Sequence, residues 1–395
     1  MRKGWEYKKL GEVCTLISDG SHNPPKGIDH SLYRMISSQN VFDDNLQITE
    51  DNVRYITESD HLCENKRTKL QKNVVLLTIV GTIGRSCVLK GNEGCLTLQR
   101  SVAALHPSDQ IIPRYLMHCL IGNRHTLNQE AHGIAQKGIY LKQLSSLSIP
   151  LPPQSTQLAI VSELDKINEL IRLKKEQLKD LDNLAQSLFY EMFGDPVENE
   201  KGWEVKKLDN VCNITSSKRI FADEYTNTGI SFYRSKEVIE RSKGLPISVE
   251  LFISEERYNE IKEKFGVPKI GDILITAVGT IGKIWAIDTD NKFYFKDGNL
   301  VWLKDIDNQL ANSCFFRRLL EYLIEEYKKT NANGAAYNAL TIAKLKLMSC
   351  PLPPLSLQHL FAQRIEQIER EKSEVQKSIQ DLETLLASRM QYWFE

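Results

Sequence analysis

The sequence has no long hydrophobic run, no paired cysteines and no net charge. Its longest apolar stretch, VVLLTIV at Val74–Val80, is far too short to cross a bilayer. The first residues, MRKGWEYKK, contain no apolar segment of the kind found in secretion signals. The eight cysteines stand singly, without a C-x-x-C pair or a Cys/His set at zinc spacing. We therefore expect a cytoplasmic protein whose thiols are reduced, with no disulfide scaffold and no metal site.

The overall charge argues against a uniformly basic nucleic-acid-binding domain, because 51 Lys and Arg residues face 51 Asp and Glu residues. The charges are, however, unevenly distributed. Residues 1–150 hold 18 basic and 14 acidic residues, a net charge of +4, whereas residues 151–200 hold 5 and 10, a net charge of −5. Residues 201–350 hold 23 and 20, a net charge of +3, and residues 351–395 hold 5 and 7, a net charge of −2. This double alternation indicates a duplicated chain.

Three short stretches confirm the duplication, because each occurs twice at an offset of 198 or 201 residues. They are GWEYKKLGEVC (Gly4–Cys14) and GWEVKKLDNVC (Gly202–Cys212), VGTIG (Val80–Gly84 and Val278–Gly282), and PLPPQSTQL (Pro150–Leu158) and PLPPLSLQH (Pro351–His359). A period near 200 residues is too long for a solenoid repeat. We call residues 1–154 the first module and residues 201–354 the second module. Between the shared stretches the modules diverge, which predicts one scaffold with different recognition loops.

Each module is predicted to be strand-rich α+β. NVVLLTIVGTIGRSCVL and GDILITAVGTIGKIWAI each indicate two strands joined at Gly-Thr-Ile-Gly, whose glycines permit a tight turn. The same four residues resemble the G-x-x-G loop of KH domains, but a hairpin turn is the better interpretation. PRYLMHCLIGN and SCFFRRLLEYLIEEYKK indicate helices near the end of each module.

A long helix is predicted after each Pro-rich segment, because apolar residues then recur at alternating spacings of four and three. The predicted seam consists of Ile160, Leu164, Ile167, Ile171, Leu178, Leu181 and Leu188 in the first helix and Phe361, Ile365, Ile368, Val375, Ile379, Leu382 and Leu386 in the second. Each helix is the natural partner of the other, so we expect an antiparallel coiled coil that holds the two modules apart. Lys174 and Lys372 interrupt the seams near the middle. They either fix the register of the pair or extend to water.

Asn23-Pro24-Pro25 matches the start of the active-site tetrapeptide of methyltransferases that modify base amino groups. In those enzymes an aromatic residue follows and stacks on the flipped base, whereas Lys26 stands here. No Gly-rich loop suited to S-adenosylmethionine accompanies the motif, and the second module lacks it. A self-sufficient methyltransferase is therefore disfavoured. We interpret the stretch as a rigid turn that presents polar donors.

Taken in order, these motifs resemble the specificity subunit of type I restriction-modification systems. The likeness is carried by GWEYKKLGEV and GWEVKKLDNV, by VGTIG in both modules, by LSIPLPPQSTQLAIV and LMSCPLPPLSLQHLFAQRI at the helix starts, and by LFYEMFGDP at Leu188–Pro196. The resemblance covers essentially the whole chain. Each motif alone is modest, but their order, occurring twice, is highly specific.

The resemblance implies an α+β chain with internal pseudo-twofold duplication. Its parts would be two target-recognition domains (1–154 and 201–354), two spacer helices paired as an antiparallel coiled coil (155–193 and 355–395) and a linker (194–200). Each domain would read one half of a split, asymmetric DNA site, and the helices would set the spacer between the halves.

The resemblance also implies partners. The helices would dock two modification subunits, which bind S-adenosylmethionine and methylate adenine at N6. Two restriction subunits, which use ATP and Mg²⁺ and cut DNA, can join the complex. The chain itself would bind no cofactor and catalyse nothing. The alternative is a coiled-coil scaffold or another defence protein that binds no specific DNA.

Polar and basic residues in the divergent loops are the candidate DNA contacts, since Arg and Lys can read guanine and Asn and Gln can read adenine. In the first module they are Ser21, His22, Asn23, Lys26, Ser38, Gln39, Asn40, Arg85, Gln99, Arg100, Gln136 and Lys137. In the second module they are Ser217, Lys218, Arg219, Arg234, Ser235, Lys236, Lys283, Asn333 and Tyr337.

Overall fold

The structure, a computed structural model, describes residues 4–131, 137–248, 250–330 and 339–394. Within these ranges, no helix combines the length and the apolar character that crossing a bilayer requires. All eight cysteines lie in the described ranges and are free thiols, and five of them are buried. Burial raises the pKa of the Cys119 thiol to about 12, so this group stays protonated at neutral pH.

The first module contains eleven strands and leads into a long helix. The strands are β1 (Glu6–Lys9), β2 (Cys14–Asp19), β3 (Tyr33–Ile36), β4 (Val41–Phe42), β5 (Asn45–Leu46), β6 (Arg54–Tyr55), β7 (Val75–Thr78), β8 (Ser86–Val88), β9 (Cys95–Leu98), β10 (Val102–Pro107) and β11 (Ser148–Leu151). The helices are α1 (Leu10–Val13), α2 (Glu58–Thr68), α3 (Pro113–Gly122), α4 (Arg124–Gln129), α5 (Leu141–Ser146) and the long α6 (Gln154–Phe193).

The second module repeats this plan with ten strands in its described residues. They are β12 (Glu204–Lys207), β13 (Asn213–Thr215), β14 (Tyr225–Thr226), β15 (Ile230–Tyr233), β16 (Phe252–Ile253), β17 (Ile273–Thr276), β18 (Ile284–Ala286), β19 (Phe293–Phe295), β20 (Leu300–Lys304) and β21 (Ser349–Leu352). The helices are α7 (Ser235–Ser242), α8 (Glu255–Phe265), α9 (Ser313–Thr330), α10 (Ile342–Leu347) and the long α11 (Leu355–Phe394).

Both modules build the same antiparallel sheet, in the order β2-β10-β7-β8 in the first module and β13-β20-β17-β18 in the second. A second sheet in each module contains one parallel pair, β3 with β9 and β15 with β19. The first and last strands of each module also pair, β1 with β11 and β12 with β21. The predicted α+β class and the duplication are therefore confirmed.

The shared VGTIG stretch forms the turn of a hairpin in both modules, between β7 and β8 and between β17 and β18. Its second glycine has a positive φ, 90° at Gly84 and 78° at Gly282, which favours glycine. A Cβ on Gly84 would lie 2.7 Å from Cγ of Arg124, and one on Gly282 would lie 2.5 Å from Cγ2 of Ile324. The turn thus packs against a helix too closely for any side chain, which explains why both copies keep it.

The chain forms two compact units, Met1–Glu176 with Gln376–Glu395, and Gln177–Val375. The boundary falls within both long helices, so each unit holds one module and a segment of α6 and of α11. In the first unit both faces of the main sheet are covered. Val75 and Leu77 of β7 face a core that includes the start of α6, whereas Leu76 faces a second core with β3 and β9. This explains why the first three residues of β7 are all apolar.

Within each unit, segments of α6 and α11 pair in opposite directions. In the first unit Nη2 of Arg389 lies 3.0 Å from a carboxylate oxygen of Glu163. In the second unit Nζ of Lys372 lies 2.8 Å from Oδ1 of Asp182. Residues early in α6 therefore meet residues late in α11, and the reverse, as an antiparallel pair requires. At Lys372 the charge is bonded across the pair, which supports a role in register.

The predicted seam residues form the inner face of these helix pairs. Leu178, Leu382 and Leu386 are half-buried and the other eleven are buried. The predicted coiled coil is thus confirmed within each unit.

A buried glutamine fastens the start of each long helix to its module. Gln157 and Gln358 are both fully buried. The side-chain oxygen of Gln157 accepts a hydrogen bond from the N–H of Ile112 at 2.9 Å, and that of Gln358 accepts from the N–H of Asn312 at 2.8 Å. Each side-chain nitrogen donates to two backbone carbonyls. The same brace in both modules explains why Gln recurs after the Pro-rich segment.

Candidate nucleic-acid interface

The parallel pair in the first module brings two divergent loops together, because parallel strands end at the same edge of a sheet. The N–H of Gln99, directly after β9, donates to the carbonyl of Ile36, the last residue of β3, at 2.9 Å. Ser38 and Gln39 follow β3, and Arg100 follows Gln99. Candidate contacts separated by about 60 positions in the sequence are thereby neighbours in space.

The loop after β2 joins the same place. The N–H of Ser21 donates to the carbonyl of Leu98 at 2.8 Å, and the N–H of Arg100 donates to the carbonyl of Ser21 at 2.9 Å. Gly20 permits this approach, since a Cβ there would lie 2.1 Å from the carbonyl oxygen of Leu98. His22 follows and is exposed. We call the surface formed by the loops after β2, β3 and β9 the loop edge of the first module.

The hairpin turn borders the loop edge. The hydroxyl of Ser101 accepts a hydrogen bond from the N–H of Ser38 at 3.0 Å, and its carbonyl accepts one from the N–H of Ile79 at 2.9 Å. The carbonyl of Lys137 accepts a hydrogen bond from the N–H of Gly81 in the turn, at 3.4 Å. The exposed Lys137 therefore lies beside the turn and next to the loop edge.

Two predicted contacts have structural roles instead. Ser21 is buried and uses its backbone to join the loops. Asn40 is fully buried, and its amide donates to the carbonyls of Gln47 and Asn52 while its oxygen accepts from the N–H of Ser37. Neither side chain faces solvent. Polar residues in tight loops often bond to the loop's own backbone, and sequence alone does not separate them from ligand contacts.

Further along the first loop, Asn23 and Lys26 are exposed. The loop is held against β6, since Nη1 of Arg54 donates to the carbonyl of Pro25 at 3.1 Å. The Asn-Pro-Pro stretch is thus a surface loop fastened to β6, with Asn23 exposed and both prolines half-buried. The guanidinium of Arg85 packs over the ring of Phe42, 4.7 Å from its centre.

The second module has a corresponding loop edge, formed by the loops after β13 and β19 and by the start of α7, which begins two residues after β15 ends. The N–H of Lys296, directly after β19, donates to the carbonyl of Tyr233, the last residue of β15, at 2.8 Å. The N–H of Lys218, after β13, donates to the hydroxyl of Tyr294 at 2.6 Å. Lys218, Arg219 and Lys236 are exposed there, and Ser217 and Ser235 are half-buried.

The remaining candidates in the second module are less uniform. Arg234 is half-buried and forms a salt bridge with the buried Glu237 at 2.7 Å. This hydrogen bond raises the pKa of Arg234 above its usual value. Lys283 follows the hairpin turn and is exposed. Gln136 of the first module and Asn333 and Tyr337 of the second lie outside the described residues.

Sequence reasoning missed several residues of the loop edges. Asp19 ends β2 and accepts a hydrogen bond from Arg67 of α2, while Asp297 accepts one from Arg219 at 2.8 Å. Lys296 was also missed. These ion pairs join residues far apart in the sequence, so no local pattern could have found them.

The family described as type I restriction modification DNA specificity domain matches residues 2–183 and, again, residues 200–384. A putative type I restriction enzyme specificity subunit of Haemophilus influenzae is 28% identical over 235 residues, which are 58% of this chain and 57% of that protein. The chain thus matches little more than half the length of that relative. The MjaVIII specificity subunit of Methanocaldococcus jannaschii is 24% identical over 97% of this chain and 92% of that protein.

Two solved structures share the fold. The S subunit of a type I restriction-modification system from M. genitalium has a TM-score of 0.53 at 15% identity, over 99% of this chain and 96% of that chain. A chain from a study of complex assembly and conformational transition of the type I R-M system has a TM-score of 0.61 at 18% identity, over 100% and 98%.

A duplicated α+β module, with each copy fastened to a long helix, defines the class of scaffold. Because the family match covers both copies, the chain belongs to the family of type I restriction-modification DNA specificity domains and carries two of them.

Proposed function

We propose that this chain is the DNA-reading subunit of a type I restriction-modification complex and is itself non-catalytic. Each module reads one half of a split, asymmetric DNA site through its loop edge. The observation that carries this proposal is that the segments following three matching strands converge at one edge in both modules but carry different side chains. Base edges in the major groove are read by amide and guanidinium groups of this kind, and phosphates are bound by Lys and Arg.

The long helices have a separate role in this proposal. They fix the number of unread base pairs between the half-sites and dock two modification subunits. Those subunits bind S-adenosylmethionine and methylate adenine at N6, and two restriction subunits with ATP and Mg²⁺ add cleavage. Support comes from the seam, which already occupies one face of each 40-residue helix and leaves other faces, with exposed Leu170 and Leu173, for partners.

A module exchange tests the proposal. Residues 201–354 are replaced by the second module of another family member, and N6-methyladenine is mapped in cells that also produce the modification subunit. We expect one half of the methylated site to change and the other half to stay. The reciprocal exchange of residues 1–154 is the matched control and should change the opposite half. Methylation positions that stay the same in both exchanges would rule out the proposal and favour the scaffold alternative.

A further inference from the structure

At each loop edge, one nearly covered carboxylate holds an arginine. The Asp19 side chain is 9% exposed, and its Oδ1 accepts a hydrogen bond from Nη2 of Arg67. Its Oδ2 lies 2.7 Å from Nε2 of His22. In the second module the Asp297 side chain is 17% exposed, and its Oδ2 accepts from Nε of Arg219 at 2.8 Å.

Both arginines remain accessible despite these bonds. The Arg67 side chain is 51% exposed and that of Arg219 is 64% exposed. Within the described ranges, the Asp19 contact engages only Nη2 of Arg67, and the Asp297 contact engages only Nε of Arg219. The other N–H groups of each guanidinium donate no hydrogen bond to any residue that the structure describes. Each arginine therefore keeps donors for a ligand with two acceptors.

The carboxylates reduce the entropy that binding would otherwise cost. A free arginine loses much side-chain freedom when its planar fork is fixed on a ligand. An arginine already oriented by a fixed carboxylate loses less, so its donors discriminate more sharply between acceptor patterns. Guanine offers such a pattern in the major groove, with O6 and N7 as paired acceptors.

Duplication alone does not account for the two pairs. In the first module the carboxylate ends β2 and the arginine lies in α2. In the second module the arginine follows β13 and the carboxylate follows β19. The same pairing thus stands on different elements in two modules whose main sheets match strand for strand.

We propose that Arg67 and Arg219 are specificity-determining residues that each read a guanine in their half-site, with Asp19 and Asp297 as their positioning residues. The inference rests on the proposed function and deepens it by naming the base and the side chain that reads it.

The test uses the complete methylating complex on a plasmid library with randomised half-sites, followed by N6-methyladenine sequencing. Arg67→Ala and Arg67→Lys should both lower the preference for guanine at one position of one half-site, about tenfold or more, and leave the other half unchanged. Arg67→Lys is informative because lysine keeps the charge and loses the planar fork. Asp19→Asn should weaken the same position to a smaller degree. Lys66→Ala removes a charge from the same helix and should change nothing.

The second module provides an independent arm. Arg219→Lys should relax guanine preference in the opposite half-site, Asp297→Asn should do so partly, and Lys262→Ala serves as the control.

Two results would overturn the inference. One is that Arg67→Lys keeps the wild-type preference while Arg67→Ala lowers methylation of all sites equally, which makes the residue a phosphate contact. The other is that Asp19→Asn lowers only the melting temperature, which makes the pair structural. A wild-type complex without any sequence preference would instead overturn the proposed function itself.

Discussion

The two modules share their four-stranded main sheet strand for strand and differ most in the segments that follow the strands. The loop edge of the first module carries the amides of Gln39 and Gln99, which line one groove, and the guanidinium groups of Arg67 and Arg100. The matching edge of the second module carries three ammonium groups, those of Lys218, Lys236 and Lys296. The residues that coincide between the modules serve the scaffold, as the buried glutamines and the hairpin glycines do. The two modules differ in sequence mainly at loop residues that are not needed to build the shared sheet.

This contrast predicts two modes of DNA contact. Amides pair with the acceptor and donor of adenine, which gives base selectivity with little electrostatic contribution. Ammonium groups bind phosphates, which gives affinity that falls with salt. We therefore expect the first module to contribute more to selectivity and the second more to salt-sensitive affinity.

The largest predicted effect concerns what the modules share. Gln157→Leu should lower the free energy of unfolding by about 3 kcal/mol, because it leaves one backbone N–H and two carbonyls buried without partners. Gln358→Leu should have the same effect in the second unit. Chemical denaturation of each variant measures the loss.

The matched control for these variants is Leu158→Ala, since Leu158 is adjacent to Gln157 and is 58% exposed. It should change the free energy of unfolding by less than about 0.5 kcal/mol. Unequal losses for the two glutamines would show that the braces are not equivalent and would weaken the comparison.

A smaller loss in the free energy of unfolding is expected from a contact that only the first unit has. Asp165 of α6 accepts hydrogen bonds from Nε of Arg114 at 2.6 Å and from Nε2 of His118 at 2.8 Å, so it joins α6 to α3. At the matching position in α11, Glu366 pairs with Arg370 of its own helix. Asp165→Asn should destabilise the protein by about 1–2 kcal/mol at neutral pH, and Glu366→Gln by less than about 0.5 kcal/mol.

The pH dependence of this difference has a definite sign. Burial opposes ionisation of Asp165, but the hydrogen bonds from His118 and Arg114 outweigh it and lower its pKa below the ordinary 3.8. The stabilisation is therefore complete above that value and disappears as the pH falls through the lowered pKa. Denaturation of wild type and Asp165→Asn between pH 7 and pH 2 should converge at the acid end. A constant difference would contradict the assignment.

The long helices and the hairpins were predictable because their signals are local: a heptad seam, and β-branched runs around paired glycines. The helix predicted at 155–193 is Gln154–Phe193 in the structure. The loop edges were predictable only as groups of residues, since the parallel pairs that assemble them join distant segments. Asn40 shows the limit at single positions, because sequence does not reveal whether an amide serves a ligand or its own backbone.

Selectivity at the first loop edge gives the next prediction. Gln39 and Gln99 line one groove of about 290 Å³ together with Asn52 and Arg54. Gln99→Ala should relax the preference at one base pair of one half-site by about tenfold, with no change in the salt dependence of binding. N6-methyladenine sequencing measures the first quantity and titrations at several salt concentrations measure the second. Gln47→Ala, an exposed amide outside the groove, should leave both unchanged.

The smallest expected effect lies at the second loop edge and separates the two modes of contact. Lys236→Ala should reduce the slope of log affinity against log salt by about 0.9, because one phosphate contact is lost. The free energy of DNA binding should weaken by about 0.5–1 kcal/mol for all sequences alike, since a phosphate contact carries no base information. Lys262→Ala, an exposed lysine of α8, should leave the slope unchanged. If Lys236→Ala instead altered a base preference and kept the slope, the division of labour between the modules would be wrong, because the second module would then read bases with the group assigned to phosphate.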